Sequence, residues 1–233
     1  MGVLKMKKIK ILATSDLFKG FSNQDIEAIL IDNQTYLKTF TKNSTIAVGD
    51  APCESVGILI EGQVQIIKES ASGNLSILRS LHQGDIFGEM AIFSANKKWP
   101  ASVQSKTDST VLFINIKAFF TEEKPLTFLR EKLIYNMLSI LSNRALYLNK
   151  RLNYLFLKTI REKIALYLLE EYNKNNTALF VASMNRNTLA EFLNITKPSL
   201  SRELGNLKAE GILDYSGNSF KIINLKKLQN ILS

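Results

Sequence analysis

Between residues 187 and 211 the chain reads NTLAEFLNITKPSLSRELGNLKAEG, and Lys197, Ser199, Arg202 and Asn206 fall on one side of its second helical stretch. They point away from an apolar ridge of Leu189, Leu193, Ile195, Leu200, Leu204 and Leu207. Such a face supplies hydrogen-bond donors to a polyanion. An arginine fork matches the two major-groove acceptors of guanine, while serine and lysine reach bases or phosphates. A solvated surface helix would carry similar residues, so the neighbours of the face decide between the two readings. Asn194 stands where a tight turn needs a residue tolerant of positive φ. Thr196 follows as the cap of the next helix, with Pro198 in its first turn, where no N–H is missed. Ala190 lies where two helices would approach closely. Turn, cap and ridge together favour a helix presented to nucleic acid.

The elements that must hold this helix are legible on either side of it. Ile164, Leu168 and Leu169 mark a helix before it, 188–192 and 197–210 mark the next two, and 213–223 reads as two short strands around Ser216-Gly217-Asn218. Helix, helix, turn, helix and hairpin in about seventy residues outline a winged helix. Upstream, Ile134, Leu138, Leu141, Ala145, Leu148, Leu152 and Leu155 are spaced 4, 3, 4, 3, 4, 3, a heptad seam sustained for three repeats. A narrow apolar stripe of that period suits a parallel two-stranded dimer helix; the competing reading is a long helix packed only on its own domain. Further upstream, short strand-like runs at 56–60, 64–68, 76–81, 102–105 and 110–114 are punctuated by turns at 49–50, 61–62, 72–74 and 83–85. They predict a small antiparallel barrel or sandwich, preceded by a short helix over 22–30. The fold class is α+β.

Composition narrows the chemistry. The 233 residues carry 30 Lys and Arg against 21 Asp and Glu, a formal charge of +9, which favours a polyanionic partner. Arg144, Lys150, Arg151 and Lys158 lie in a stretch without an acid, and Lys5, Lys7, Lys8 and Lys10 crowd the start. A single Cys excludes a disulfide framework, an iron–sulfur cluster held by four cysteines of the chain and zinc sites of the paired-cysteine type. One His, no Gly-rich phosphate loop and no nucleophile with its base and orienting group argue against an enzyme. No cofactor is expected: a haem would need a buried axial ligand, and His82 sits in a turn. Cys53 has no basic neighbour in sequence and reads as a quiet thiol. With no spanning, anchoring or secretory pattern, the expected location is the cytoplasm and no membrane partner is expected.

Two stretches, GDIFGEMAIF at 84–93 and ITKPSLSRELGNLKAEGIL at 195–213, together with the order of barrel, long helix and winged helix, resemble the Crp/Fnr superfamily of bacterial transcription regulators. The resemblance runs from about residue 18 to 232. It implies an effector-sensing barrel of the cyclic-nucleotide-binding, jelly-roll type over 1–121, a dimerisation helix over 122–158 and a winged-helix DNA-binding domain over 159–233. It further implies a homodimer joined along the heptad seam, a near-palindromic double-stranded DNA site and RNA polymerase as a partner. Lys197, Ser199 and Arg202 match the recognition-helix contact positions, with Thr196 and Asn206 beside them. Arg186 precedes the first helix of the motif, where phosphate contact is common.

The effector pocket departs from the pattern. In cyclic-nucleotide-binding members a Gly-Glu pair holds the ribose hydroxyl, and an Arg beside Ser or Thr, about ten residues on, pairs with the cyclic phosphate. Gly88 and Glu89 match the first feature, with Met90 next. The second position reads Trp99-Pro100-Ala101. Burying the phosphate charge without a paired cation costs roughly several kcal/mol, and Lys97 and Lys98 lack the guanidinium fork. Leu148 and Asn149 stand where a polar pair usually caps the purine. The expected effector is therefore a small molecule other than cyclic AMP, or none, and Glu89 is expected as a structural carboxylate in the barrel turn. An alternative reading is a cyclic-nucleotide sensor that acts through protein partners.

Overall fold

The computed structural model describes residues 2–31, 34–69, 75–120 and 127–232, and the chain divides into two units, Met1–Asn143 and Arg144–Ser233. The first unit opens with helices α1 (Gly2–Thr14) and α2 (Asn23–Ile31). Strands β1 (Thr35–Phe40), β2 (Thr45–Ala47), β3 (Ser55–Glu61), β4 (Val64–Glu69), β5 (Leu75–Leu81) and β6 (Ile86–Phe87) follow. After the one-turn helix α3 (Glu89–Ile92) come β7 (Ser102–Ser105), β8 (Ser109–Asn115) and the short α4 (Lys117–Phe120). The strands pair antiparallel in two four-stranded sheets, in the orders β1-β8-β3-β6 and β2-β7-β4-β5. The five expected strands all form, each within a residue or two of the expected bounds. The turn expected at 72–74 lies outside the described residues.

The run VGILI in β3 shows no polar alternation because both of its faces are covered. It shares one core with Val64 and Val103 of the other sheet, and α1 packs on it through a core that includes Ile9 and Leu12. The lysines around that pair hid its helical signal in the sequence.

The long helix α5 (Thr127–Phe156) has thirty residues. It is shared between the two units and does not form a separate domain. Its first half buries Leu133, Met137 and Ile140 in the first unit, where the Asn136 Nδ2 donates to the carbonyls of Leu17 (2.8 Å) and Lys19 (3.0 Å). Its second half buries Tyr154 in the core of the second unit. The 143/144 division thus falls inside the expected 122–158 helix segment, and the 121/122 boundary lies outside the described residues.

The second unit continues with α6 (Ile160–Asn175), β9 (Leu179–Val181), α7 (Arg186–Leu193), α8 (Lys197–Ala209), β10 (Leu213–Ser216), β11 (Ser219–Ile222) and α9 (Leu225–Gln229). Helix α6 starts at a capping box: the Thr159 hydroxyl accepts from Glu162 N at 3.1 Å and Glu162 Oε2 accepts from Thr159 N at 2.9 Å. The sheet order β10-β11-β9 adds a third strand that the sequence reading did not include, pairing Phe180 with Phe220. Three residues are too few to generate a strand period.

Candidate nucleic-acid interface and effector barrel

Helix α7 begins at Asn185, whose side-chain oxygen accepts from the N–H groups of Asn187 and Thr188, both at 3.0 Å. It ends at Asn194, which adopts φ +53°. That left-handed residue turns the chain, and Thr196 then caps α8 by accepting from Ser199 N at 3.3 Å. Leu200, Leu204 and Leu207 are buried against Leu189 and Leu193, so the rotation of α8 is fixed by its leucines. On the opposite side Lys197, Arg202 and Asn206 are exposed. Ser199 is half-buried and its hydroxyl lies 2.8 Å from that of Thr196, inside the cap. Ser201 is exposed between Lys197 and Arg202, and Gly205 lies one turn beyond it. The sequence reading named neither residue, although Ser201 follows Lys197 by one helical turn and a wheel projection places them together.

Several polar groups hold this surface. Glu171, buried in α6, accepts from Ser183 N (3.0 Å) and Ser183 Oγ (2.8 Å), which anchors the segment leading into α7. Arg161 pairs with Glu210 and lies 3.5 Å from Glu203, whose other oxygen accepts from Asn206 Nδ2 at 3.0 Å. The Arg161 hydrogen bond lowers the Glu210 pKa and in turn raises that of Arg161. Lys208 at the end of α8 pairs with Asp214 of β10 at 2.5 Å. Phe192 of α7 sits between Tyr147 and Tyr154 of α5, and the Tyr154 hydroxyl donates to Glu170 at 2.6 Å. Burial and that carboxylate push the phenol well above its ordinary pKa, so it remains a neutral donor. Arg186 is half-buried against the β10–β11 hairpin, with Nη2 donating to the Gly217 carbonyl at 2.9 Å.

In the barrel, Gly88 follows β6 at φ +84° and leads into α3. The Trp99 ring lies directly over it: a β-carbon on Gly88 would stand 2.7 Å from Trp99 Cη2 and 3.2 Å from the Ser55 carbonyl. The indole is held there from two sides. Trp99 N donates to the Ala51 carbonyl at 3.0 Å, its own carbonyl accepts from Asp50 N at 2.8 Å, and its ring packs on Phe87. Trp99 is 8% exposed and Glu89 only 2%, whereas Met90 is half-exposed and Lys97 and Lys98 are exposed. Gly88 and Trp99 thus meet, while Leu148 and Asn149 belong to the second unit and are exposed there. Cys53 is buried, and burial raises its thiol pKa. His82 is exposed in its turn. Among the described residues no three His, Cys, Asp or Glu side chains gather as a metal ion requires, and no helix is long and apolar enough to cross a membrane.

The heptad seam of α5 is largely uncovered. Leu138 and Leu148 are 58% and 52% exposed, Ala145, Leu152 and Leu155 are also exposed, and Ile134 and Leu141 are half-covered by the first unit's core. Tyr135 and Phe156, one residue after seam positions, widen the stripe at either end.

Comparison with known proteins covers both units. The family model for the cyclic nucleotide-binding domain matches residues 37–122, and that for the Crp-like helix-turn-helix domain matches 162–231. The chain is 21% identical over 196 residues to the cAMP-activated global transcriptional regulator Vfr of Pseudomonas aeruginosa, covering 81% of this chain and 90% of Vfr. It is 22% identical to a CRP-like cAMP-activated global transcriptional regulator of Mycobacterium tuberculosis, over 94% of this chain and 97% of the relative. Among solved structures, the catabolite activator protein of Thermus thermophilus superposes with a TM-score of 0.54 at 19% identity, over 94% of this chain and 98% of that one.

Proposed function

Because the chain belongs to the Crp/Fnr superfamily of bacterial transcription regulators, we propose that it works in the cytoplasm as a homodimer. In this reading the dimer reads a near-palindromic double-stranded DNA site through α8 and contacts RNA polymerase at its promoters. The observation that carries this reading is α8 itself, capped by Thr196 after the Asn194 turn, with its leucines buried and Lys197, Arg202 and Asn206 turned outward. In the reading, Arg202 meets a guanine edge, Lys197 a phosphate, and Ser199 keeps the first turn of α8 in shape from within the cap. Two copies related by a two-fold axis would place their helices in successive major grooves about 34 Å apart. The exposed leucine seam supports the dimer, since a stripe of that size on a long helix is otherwise left in water.

The barrel is proposed to sense something other than cyclic AMP, or nothing. Two relatives are named as cAMP-activated, but here an apolar indole covers Gly88 where the arginine partner of a cyclic phosphate would be needed. Glu89, buried beside it, serves the barrel turn in this reading.

Binding selections on randomised DNA, with wild type, Arg202→Ala and Lys197→Ala, test the DNA reading. Arg202→Ala is expected to lose about 1–3 kcal/mol and relax preference at one position per half-site. Lys197→Ala should weaken all sequences evenly and flatten the salt dependence. An Arg202→Ala protein with unchanged affinity and preference would remove α8 from the interface.

A further inference from the structure

Arg186 is the first residue of α7, an unfavourable place for a lone cation because a helix N-terminus is itself electropositive. Its guanidinium turns away from that terminus and into the wing. While Nη2 donates to Gly217 at the hairpin tip, the guanidinium carbon lies 4.8 Å from the Tyr215 ring centroid and 4.6 Å from that of Phe220. Tyr215 and Phe220 are register partners across β10 and β11, and Phe220 stacks on Phe180 of β9. One side chain therefore bridges α7 to both strands of the hairpin and, through Phe220, to the third. We propose that Arg186 is a positioning residue for DNA binding, locking the wing to the helix-turn-helix, and that it does not itself meet a phosphate.

This inference rests on the DNA-binding reading of α8 given above. Its physical basis is that a guanidinium bonded to a carbonyl and packed between ring faces would have to give up both to reach a phosphate. Only arginine suits the place: its planar fork can lie on a ring and donate in plane, which an ammonium cannot do. Burial lowers the Arg186 pKa from the ordinary arginine value, the nearby Tyr215 and Tyr167 phenols acting against this, so the contact lies partly out of water. The ion pair between wing and helices, Lys208 with Asp214, is half-exposed and therefore screened by salt. The Arg186 contact, partly out of water, is less exposed to that screening, and it adds to the burial of Leu213, Phe220 and Ile222 in the helix core. A hairpin of two four-residue strands has little stability of its own, and its tip at Gly217 lies beyond the buried Leu213, Phe220 and Ile222. Without the clamp part of the ordering of that tip would fall to the binding step and weaken the complex.

Arg186→Lys, Arg186→Gln and Tyr215→Leu are the informative variants, measured for DNA affinity over a salt series and, without DNA, for amide hydrogen exchange across 213–222. A clamp predicts a loss of about three- to tenfold in affinity for all three. It also predicts a wild-type slope of affinity against salt, faster wing exchange, and an Arg186→Gln, Tyr215→Leu double variant little worse than either single one. A phosphate contact predicts otherwise: Arg186→Lys would bind as wild type, and Arg186→Gln would reduce the slope by about 0.9 per protomer with exchange unchanged. That pattern, or unchanged wing exchange in all three, overturns the proposal. Wild-type protein that retards no DNA would overturn the DNA reading alone, and exchange would still decide the clamp.

Discussion

Gly205 sits in the interior of α8, where glycine is less favourable than alanine by about 0.5–1 kcal/mol. Nothing within the domain calls for it, since a β-carbon there would meet no atom within 4 Å. Gly88 is the contrasting case, because its left-handed φ and the overlying indole both exclude a side chain. In the proposed DNA-bound state Gly205 would allow close approach on the face that carries Arg202 and Asn206. Gly205→Ala is therefore expected to stabilise the fold by about 0.5–1 kcal/mol in denaturant melts and to weaken DNA binding in gel shifts. A variant that gains stability with unchanged affinity would remove Gly205 from the contact surface. At this scale the sequence was most informative where partners are local. The Asn194 turn, the Thr196 cap and the leucine ridge are all defined by neighbours within a few positions. The contacts of Arg186 with the wing were not legible, because its carbonyl partner is 31 residues away and no local pattern encodes a stack on two ring faces.

The long helix separates two kinds of burial on one element. Leu133, Met137 and Ile140 are covered within the protomer, whereas Leu138 and Leu148 remain open on the seam. A substitution at Leu148 should leave the protomer folded and act on association alone. In the proposed dimer a glutamate there would be buried without a partner, at a cost of roughly several kcal/mol, which is a weakening of about a hundredfold or more. Sedimentation equilibrium on Leu148→Glu should show monomers at micromolar concentration, with thermal melting close to wild type. A fully dimeric Leu148→Glu would reassign the seam. The heptad was legible because its period marks the sequence directly. The sharing of α5 between two units was not, because it depends on what each face meets after folding. Elements such as β6 and β9, with two and three residues, are likewise set by pairing with strands far along the chain.

At the scale of the whole molecule, the barrel architecture and the pocket chemistry are separable. Two four-stranded antiparallel sheets pack around one apolar core, so the fold type was readable from short strands and turns. Around Gly88 the sequence reading of a missing arginine meets an indole seated on the glycine. A cyclic phosphate brought to that position would displace the Trp99 ring from Phe87 and leave its own charge without a guanidinium partner. The chain has one tryptophan, so its fluorescence reports this site without labelling. Titration with cyclic AMP is expected to give no saturable heat up to roughly millimolar ligand, no change in Trp99 emission and no change in DNA affinity. A constant near micromolar, accompanied by a shift of the Trp99 emission, would mean that the indole swings out and that Lys97 or Lys98 moves in to supply the cation. If that shift disappeared in a Lys97→Ala, Lys98→Ala protein, the barrel would have to be reassigned as a nucleotide sensor with a lysine in place of the arginine.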